Sequence, residues 1–163
     1  MIHLLFLLPF IHQLSWSDYK GPQQIRWENF KGLPKNNGYA ASVNTRWILT
    51  DSCEDGKCYF KVDCGIDEDS SWTTTNSEIA LRHEQTHVNL SYIVCRDFKR
   101  VLSKYQGISE SKAYKVHNLF NNWWAKERRV NALFDRETKH SVVTVIEKQW
   151  EDQINKALCE GSH

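Results

Sequence analysis

Leu81-Arg-His-Glu-Gln-Thr-His-Val-Asn-Leu90 is the stretch whose reading decides both the fold and the chemistry of this chain. On a helix, residues four apart project from one face a turn apart, so His83 and His87 can reach a single divalent metal. Glu84 follows the first imidazole directly, where a carboxylate can take a proton from water acidified by zinc to a pKa of roughly 7. A five-residue pattern with three fixed positions arises by chance on the order of once in a hundred chains of this size, so context must decide.

The context suits a helix. Thr75-Asn-Ser-Glu78 reads as a capping box, and Ile79, Leu81, Leu90, Ile93, Val94, Phe98, Val101 and Leu102 follow at helical spacing, with Gly107 as the terminator. A second helix is expected from Ser109 to about Phe134 and a third from about Val142 to Leu158, where Val142, Ile146, Trp150, Ile154 and Leu158 recur every fourth residue. Upstream, Tyr39 to Thr50 and Lys57 to Cys64 read as a β-hairpin closed at Asp55-Gly56, preceded by an irregular arm with one short strand near Ile25 to Trp27 and followed by a polar turn, Asp67 to Ser71. The expected fold is therefore α+β: a small antiparallel sheet followed by three helices, zincin-like, with the metal motif on the first long helix.

The chain has 163 residues, 40% of them hydrophobic, with seven Trp, six Tyr and seven Phe, which is ample for one core in one domain, residues 18–163. A net charge of +1 without runs of like charge gives no electrostatic footprint for nucleic acid or an anionic membrane. Residues 1–17 read as a signal peptide: an apolar run too short to span a bilayer, then Ser15-Trp16-Ser17 with small residues where a signal peptidase cuts. No Lys or Arg precedes the run, which leaves a buried N-terminal strand or helix as the competing reading, and no Cys stands at the cleavage point to carry a lipid. The expected location is secreted or periplasmic, with no membrane anchor after cleavage.

Five cysteines in an exported chain make disulfides plausible, with one thiol left over. Across an Asp55-Gly56 turn, Cys53 and Cys58 face each other at the closely spaced kind of cross-strand pair, whose separation suits a disulfide. A metal site and buried free thiols are the competing readings. Cys64, Cys95 and Cys159 allow one further bridge, and nothing in the sequence chooses between them.

Catalytic zinc takes three protein ligands and keeps a position for water, so His83 and His87 need a third. Asp135, Glu137 and His140 fall within six residues, between the second and third helices. His140 is the expected ligand because its imidazole matches the other two. Asp135 would then hold a ligand imidazole in its tautomer, with Glu137 the next choice as ligand. The competing reading makes all three a solvated helix end. His117 reads as a packing histidine, Trp47, Trp123, Trp124 and Trp150 as core more than groove, and Lys126, Arg128 and Arg129 as a solvated face.

Taken together, Ile25-Arg-Trp-Glu-Asn-Phe-Lys-Gly32, Ala40-Ala41, Ser71-Trp72, Leu81 to His87, Asp135-Arg-Glu-Thr-Lys-His140 and Gln149-Trp150 resemble the bacterial domain-of-unknown-function family nine hundred and twenty-two. Its members are mostly exported and are described as candidate zinc-dependent proteases. The resemblance spans nearly the whole mature chain. It implies His83 and His87 as zinc ligands, Glu84 as the catalytic residue, and a role for Asp135 and His140. Val88 stands where the family usually has an aromatic residue, and Ser141 where it usually has Gly. The expected activity is hydrolysis of a protein or peptide by zinc-activated water. A zinc-binding module without catalysis and an amidase acting on the cell wall are the alternatives.

Overall fold

The computed structural model describes residues 23–160; the expected leader lies outside them. Five strands precede or interrupt three helices: β1 (Ala41–Ser42), β2 (Thr45–Glu54), β3 (Lys57–Ile66), β4 (Trp72–Thr73), α1 (Glu78–Leu102), β5 (Ile108–Ser109), α2 (Tyr114–Thr138) and α3 (Thr144–Glu160). The architecture is α+β, as the hydrophobic periods imply.

β2 and β3 form the expected hairpin, with Glu54 opposite Lys57. Asp55 (φ 50°) and Gly56 (φ 72°) both adopt the left-handed backbone that a two-residue hairpin turn needs. The ladder starts at Thr45, not at Tyr39, because the chain before it turns away: Ala41 and Ser42 pair instead with Thr73 and Trp72. Ile108 and Ser109 add a third strand beside β3. A short strand was expected near Ile25, but Trp27–Asn29 forms one turn of 3-10 helix, closed by the Asn29 carboxamide accepting from the Arg26 amide.

Alternation along β3 buries Cys58, Phe60, Val62 and Cys64 against Trp47 of β2, Phe98 of α1 and Phe120 of α2, making the main core. Disulfides join Cys53 to Cys58 across the hairpin and Cys64 of β3 to Cys95 of α1, and Cys159 is free and exposed. Two disulfides indicate maturation in an oxidising compartment. No helix among the described residues is long and apolar enough to cross a membrane.

Ser77 caps α1, its hydroxyl accepting from the Ala80 amide, two residues inside the expected capping box. Ile79 was expected on the buried face and is 48% exposed. α2 starts five residues later than expected, because Ile108 and Ser109 are drawn into the sheet and a 3-10 turn at Glu110–Lys112 follows. It also ends four residues later, at Thr138. This places Asp135 and Glu137 on a helix and not in a connection. A second cluster, Leu90, Phe134 and Ile154, packs α1, α2 and α3 together, and a third sets Ile25 and Phe30 of the arm on Ile66 and Val88.

Candidate metal centre

His83, on the first turns of α1, is buried among three helices. Its Nδ1 lies 3.2 Å from Glu147 Oε1 of α3, and its Nε2 lies 3.1 Å from Asp135 Oδ1 of α2. One turn on, His87 Nδ1 lies 2.7 Å from Asn131 Oδ1 and Nε2 lies 2.9 Å from the same Asp135 oxygen. The Asn131 amide cannot be turned round, because its Nδ2 donates to the Glu127 carbonyl (3.1 Å) and carboxyl (2.9 Å). Its oxygen therefore accepts from His87 Nδ1–H. This leaves Nε2 as the position that takes either a second proton or a metal.

Phe134 holds both rings from below, stacked on His83 with centroids 4.7 Å apart and edge-on to His87 at 4.9 Å. It is fully buried. His140 completes the group from the turn between α2 and α3, its Nδ1 3.2 Å from Asp135 Oδ1 and its side chain 45% exposed. That turn places Lys139, His140 and Ser141 consecutively at φ 49°, 53° and 70°. Three successive non-glycine residues in the left-handed region cost of order 1 kcal/mol each, and strain of this kind gathers at functional sites. The Tyr39 ring covers His140 from outside, with centroids 4.6 Å apart.

His83, Asp135 and His140 offer ligand atoms that all lie within 4.8 Å of one another, so this group could hold a metal ion. The surroundings suit a cation. Glu147 is buried, and its second oxygen has no hydrogen-bond partner, an unbalanced arrangement for a carboxyl group unless positive charge stands nearby. Burial opposes the charge on Asp135, but hydrogen bonds from His83 and His87 and the charges of His87 and His140 outweigh it and hold that carboxyl well below the usual carboxylate range. Burial likewise opposes charging His87, yet the bond to Asp135 and the charges of Glu84 and Asp135 raise its pKa above the usual value. Nitrogen and carboxylate oxygen donors in this number fit zinc.

Glu84 faces the same cleft as the two histidines, close enough for its charge to act on His87. Its Oε2 accepts from the Val43 amide at 2.7 Å, which ties the motif helix to the segment following β1. Both Glu84 and the ligand group line one cleft of about 670 Å³ whose far wall is residues 38–45 and whose floor is the α2 face carrying Trp124, Glu127, Asn131 and Asp135. Glu127, pushed up by burial and only partly brought back by the Thr45 and Ser91 hydroxyls, receives the Thr45 hydroxyl at 2.9 Å.

Of the residues singled out by sequence, His83, His87, Glu84, Asp135 and His140 come together. Glu137 instead accepts from the Trp150 indole at 3.0 Å, outside this group. His117 lies outside this group: half-exposed, it sits edge-on to the Phe60 ring and faces Asp51 at 3.6 Å. Trp47 belongs to the core, while Trp124 lines the cleft. Asn131, Glu147 and Phe134 were not singled out for the site. A signal for the first was present, since Trp124, Glu127, Asn131 and Asp135 share one face at helical spacing, and polar residues on a face that should be apolar ask for a reason.

No family model, curated protein or solved structure matches the chain.

Proposed function

We propose that this chain is an exported zinc-dependent hydrolase, and most specifically a peptidase with a zincin-like arrangement of motif helix and sheet. The supporting observation is the convergence of His83 Nε2 and His87 Nε2 on Asp135 Oδ1, each imidazole held at its opposite nitrogen by its own acceptor. The resemblance to the family of candidate zinc proteases adds the word peptidase; the site's chemistry alone supports metal-assisted hydrolysis.

His83, His87 and Asp135 would hold the ion. This adds Asp135 to the expected ligands, while His140, the third ligand that spacing suggested, keeps its ligand atom within 4.8 Å of those of His83 and Asp135. Asp135 stands between the buried His83 imidazole and the largely buried one of His87, whereas His140 approaches from solvent on a strained turn and reaches Asp135. Bound zinc would supply Lewis acidity toward a carbonyl and toward water. Glu84, lining the same cleft, takes the proton of the attacking water and passes it to the leaving amine. Its bond from the Val43 amide holds the carboxylate in position for that transfer.

One observation favours a second reading. His140 Nδ1 reaches the same oxygen at 3.2 Å, and a fourth protein ligand would close the coordination, as in structural zinc sites. The deciding experiment measures zinc per chain in Asp135→Ala and His140→Ala, with hydrolysis of casein and of peptidoglycan by wild type and Glu84→Gln. One zinc in the wild type, loss in Asp135→Ala, retention in His140→Ala and Glu84-dependent casein cleavage are expected. Loss of zinc in His140→Ala with retention in Asp135→Ala reverses the ligand assignment. Bound zinc without Glu84-dependent turnover rejects the hydrolase, and turnover of peptidoglycan alone makes it an amidase.

A further inference from the structure

The cleft does not stop at the metal group. Along α2 its lining continues through Asn131, Glu127 and Arg128 to Trp124, and a second hollow formed by Asn121, Trp124, Ala125, Arg128 and Arg129 shares Trp124 and Arg128 with it. The two form one groove running along the helix. Arg128 and Arg129 are exposed, and neither makes an ion pair among the described residues. The groove thus ends in two available guanidinium groups beside an indole face. The opposite end, where Tyr39 covers His140, is aromatic.

We infer that this end of the groove is a substrate subsite for an acidic side chain, and that the protein selects polypeptides carrying Asp or Glu about three residues from the scissile bond. The register comes from the helix. Arg128 precedes Asp135 by seven residues, about 10 Å at 1.5 Å per residue, and an extended peptide covers that distance in about three residues at roughly 3.3 Å each. Arginine suits the task because its planar, permanently charged fork matches a carboxylate. Trp124 supplies the apolar wall against which the acidic residue's methylenes would lie. The inference rests on the peptidase reading for the position of the scissile bond, but not for the preference for negative charge.

The test uses decapeptides with one Leu fixed and a single Glu or Gln walked through the remaining positions. The full mature chain loaded with zinc digests them, mass spectrometry locates each cut, and anisotropy measures binding of labelled peptides to zinc-loaded Glu84→Gln. Glu about three positions from the cut should raise kcat/KM roughly fivefold over Gln at the same position, since a solvent-accessible guanidinium–carboxylate pair contributes on the order of 1 kcal/mol. The same Glu peptides should bind Glu84→Gln more tightly, less so at high salt. Both ratios should collapse toward one in Arg128→Gln/Arg129→Gln, with zinc content and circular dichroism retained. Equal handling of Glu and Gln peptides, or a preference that survives the double substitution, overturns the subsite. Binding preference without any turnover overturns the peptidase and leaves the subsite standing.

Discussion

Replacing Asn131 by Ala should weaken zinc binding while leaving every group that contacts the ion in place. The amide does two things at once: its oxygen accepts from His87 Nδ1 at 2.7 Å, and its nitrogen donates to the Glu127 carboxyl at 2.9 Å. Without it, His87 is free to move its proton to Nε2 and to rotate about χ2, so the lone pair aimed at Asp135 is no longer preset. Removing the partner behind a ligand imidazole typically costs 10–100-fold in metal affinity, about 1.4–2.7 kcal/mol. The fold should lose less, roughly 1–2 kcal/mol, because the Glu127 carboxyl keeps the Thr45 hydroxyl. Chelator competition measures the first quantity and urea unfolding of the metal-free chain the second. Thr86→Ala is the control. Thr86 is more deeply buried than Asn131 and lies between the two histidines in sequence, but its hydroxyl only turns back to the Arg82 carbonyl at 3.1 Å. It should lose stability and keep affinity. Unchanged zinc affinity in Asn131→Ala, or equal losses in both variants, would refute the idea that the carboxamide fixes the imidazole.

Three further outcomes are expected. Ser141→Gly should raise the melting temperature by a few degrees, about 0.5–1 kcal/mol, because glycine adopts φ 70° without a Cβ clash; a fall in calorimetry would mean that the turn is not strained. Burial raises the Glu127 pKa above its ordinary 4.5, so its favourable contribution is present below pH 4.5 and is lost as pH rises through the raised value. Metal-free Glu127→Gln should therefore gain stability relative to wild type as pH rises above 4.5, by at most about 1.4 kcal/mol per pH unit, and a difference independent of pH would contradict this. Cys64→Ala/Cys95→Ala should cost about 3.7 kcal/mol by the loop-entropy relation for a separation of 31 residues, read as a lower urea midpoint. A loss no larger than that from opening the five-residue Cys53–Cys58 loop would argue against it.

The hairpin and the first helix were legible because each rests on a local signal: Asp55-Gly56 can hardly be anything but a tight turn, and α1 carries a cap and a long apolar stripe. The ends of α2 were not legible. Ile108 and Ser109 pair with Cys58 and Lys57 some fifty residues away, and no local pattern announces such a partner. The same holds at the site. His83, Glu84 and His87 stand in a recognisable spacing on one helix. Glu147, by contrast, looks like any charged residue near the start of a helix until α3 packs against α1, and Asn131 looks like any polar one. Ser141 is the instructive case. The backbone there adopts the left-handed conformation that glycine favours, yet the chain holds that turn with serine, a residue that gives no local signal for it.

The hydrogen bonds that tie His83, Glu84 and His87 to the rest of the site join residues 41 to 64 positions apart, from Glu84 and Val43 to His83 and Glu147. Four elements must therefore dock before the ligand group exists. A partly folded chain offers only the pair on α1, whose affinity for metal lacks both the third donor and the fixed tautomers. Zinc bound there would act as a latch that engages after the structure has closed, slowing unfolding far more than it speeds folding. For a chain whose two disulfides indicate maturation in an oxidising compartment, such a latch would act on lifetime more than on the rate of folding.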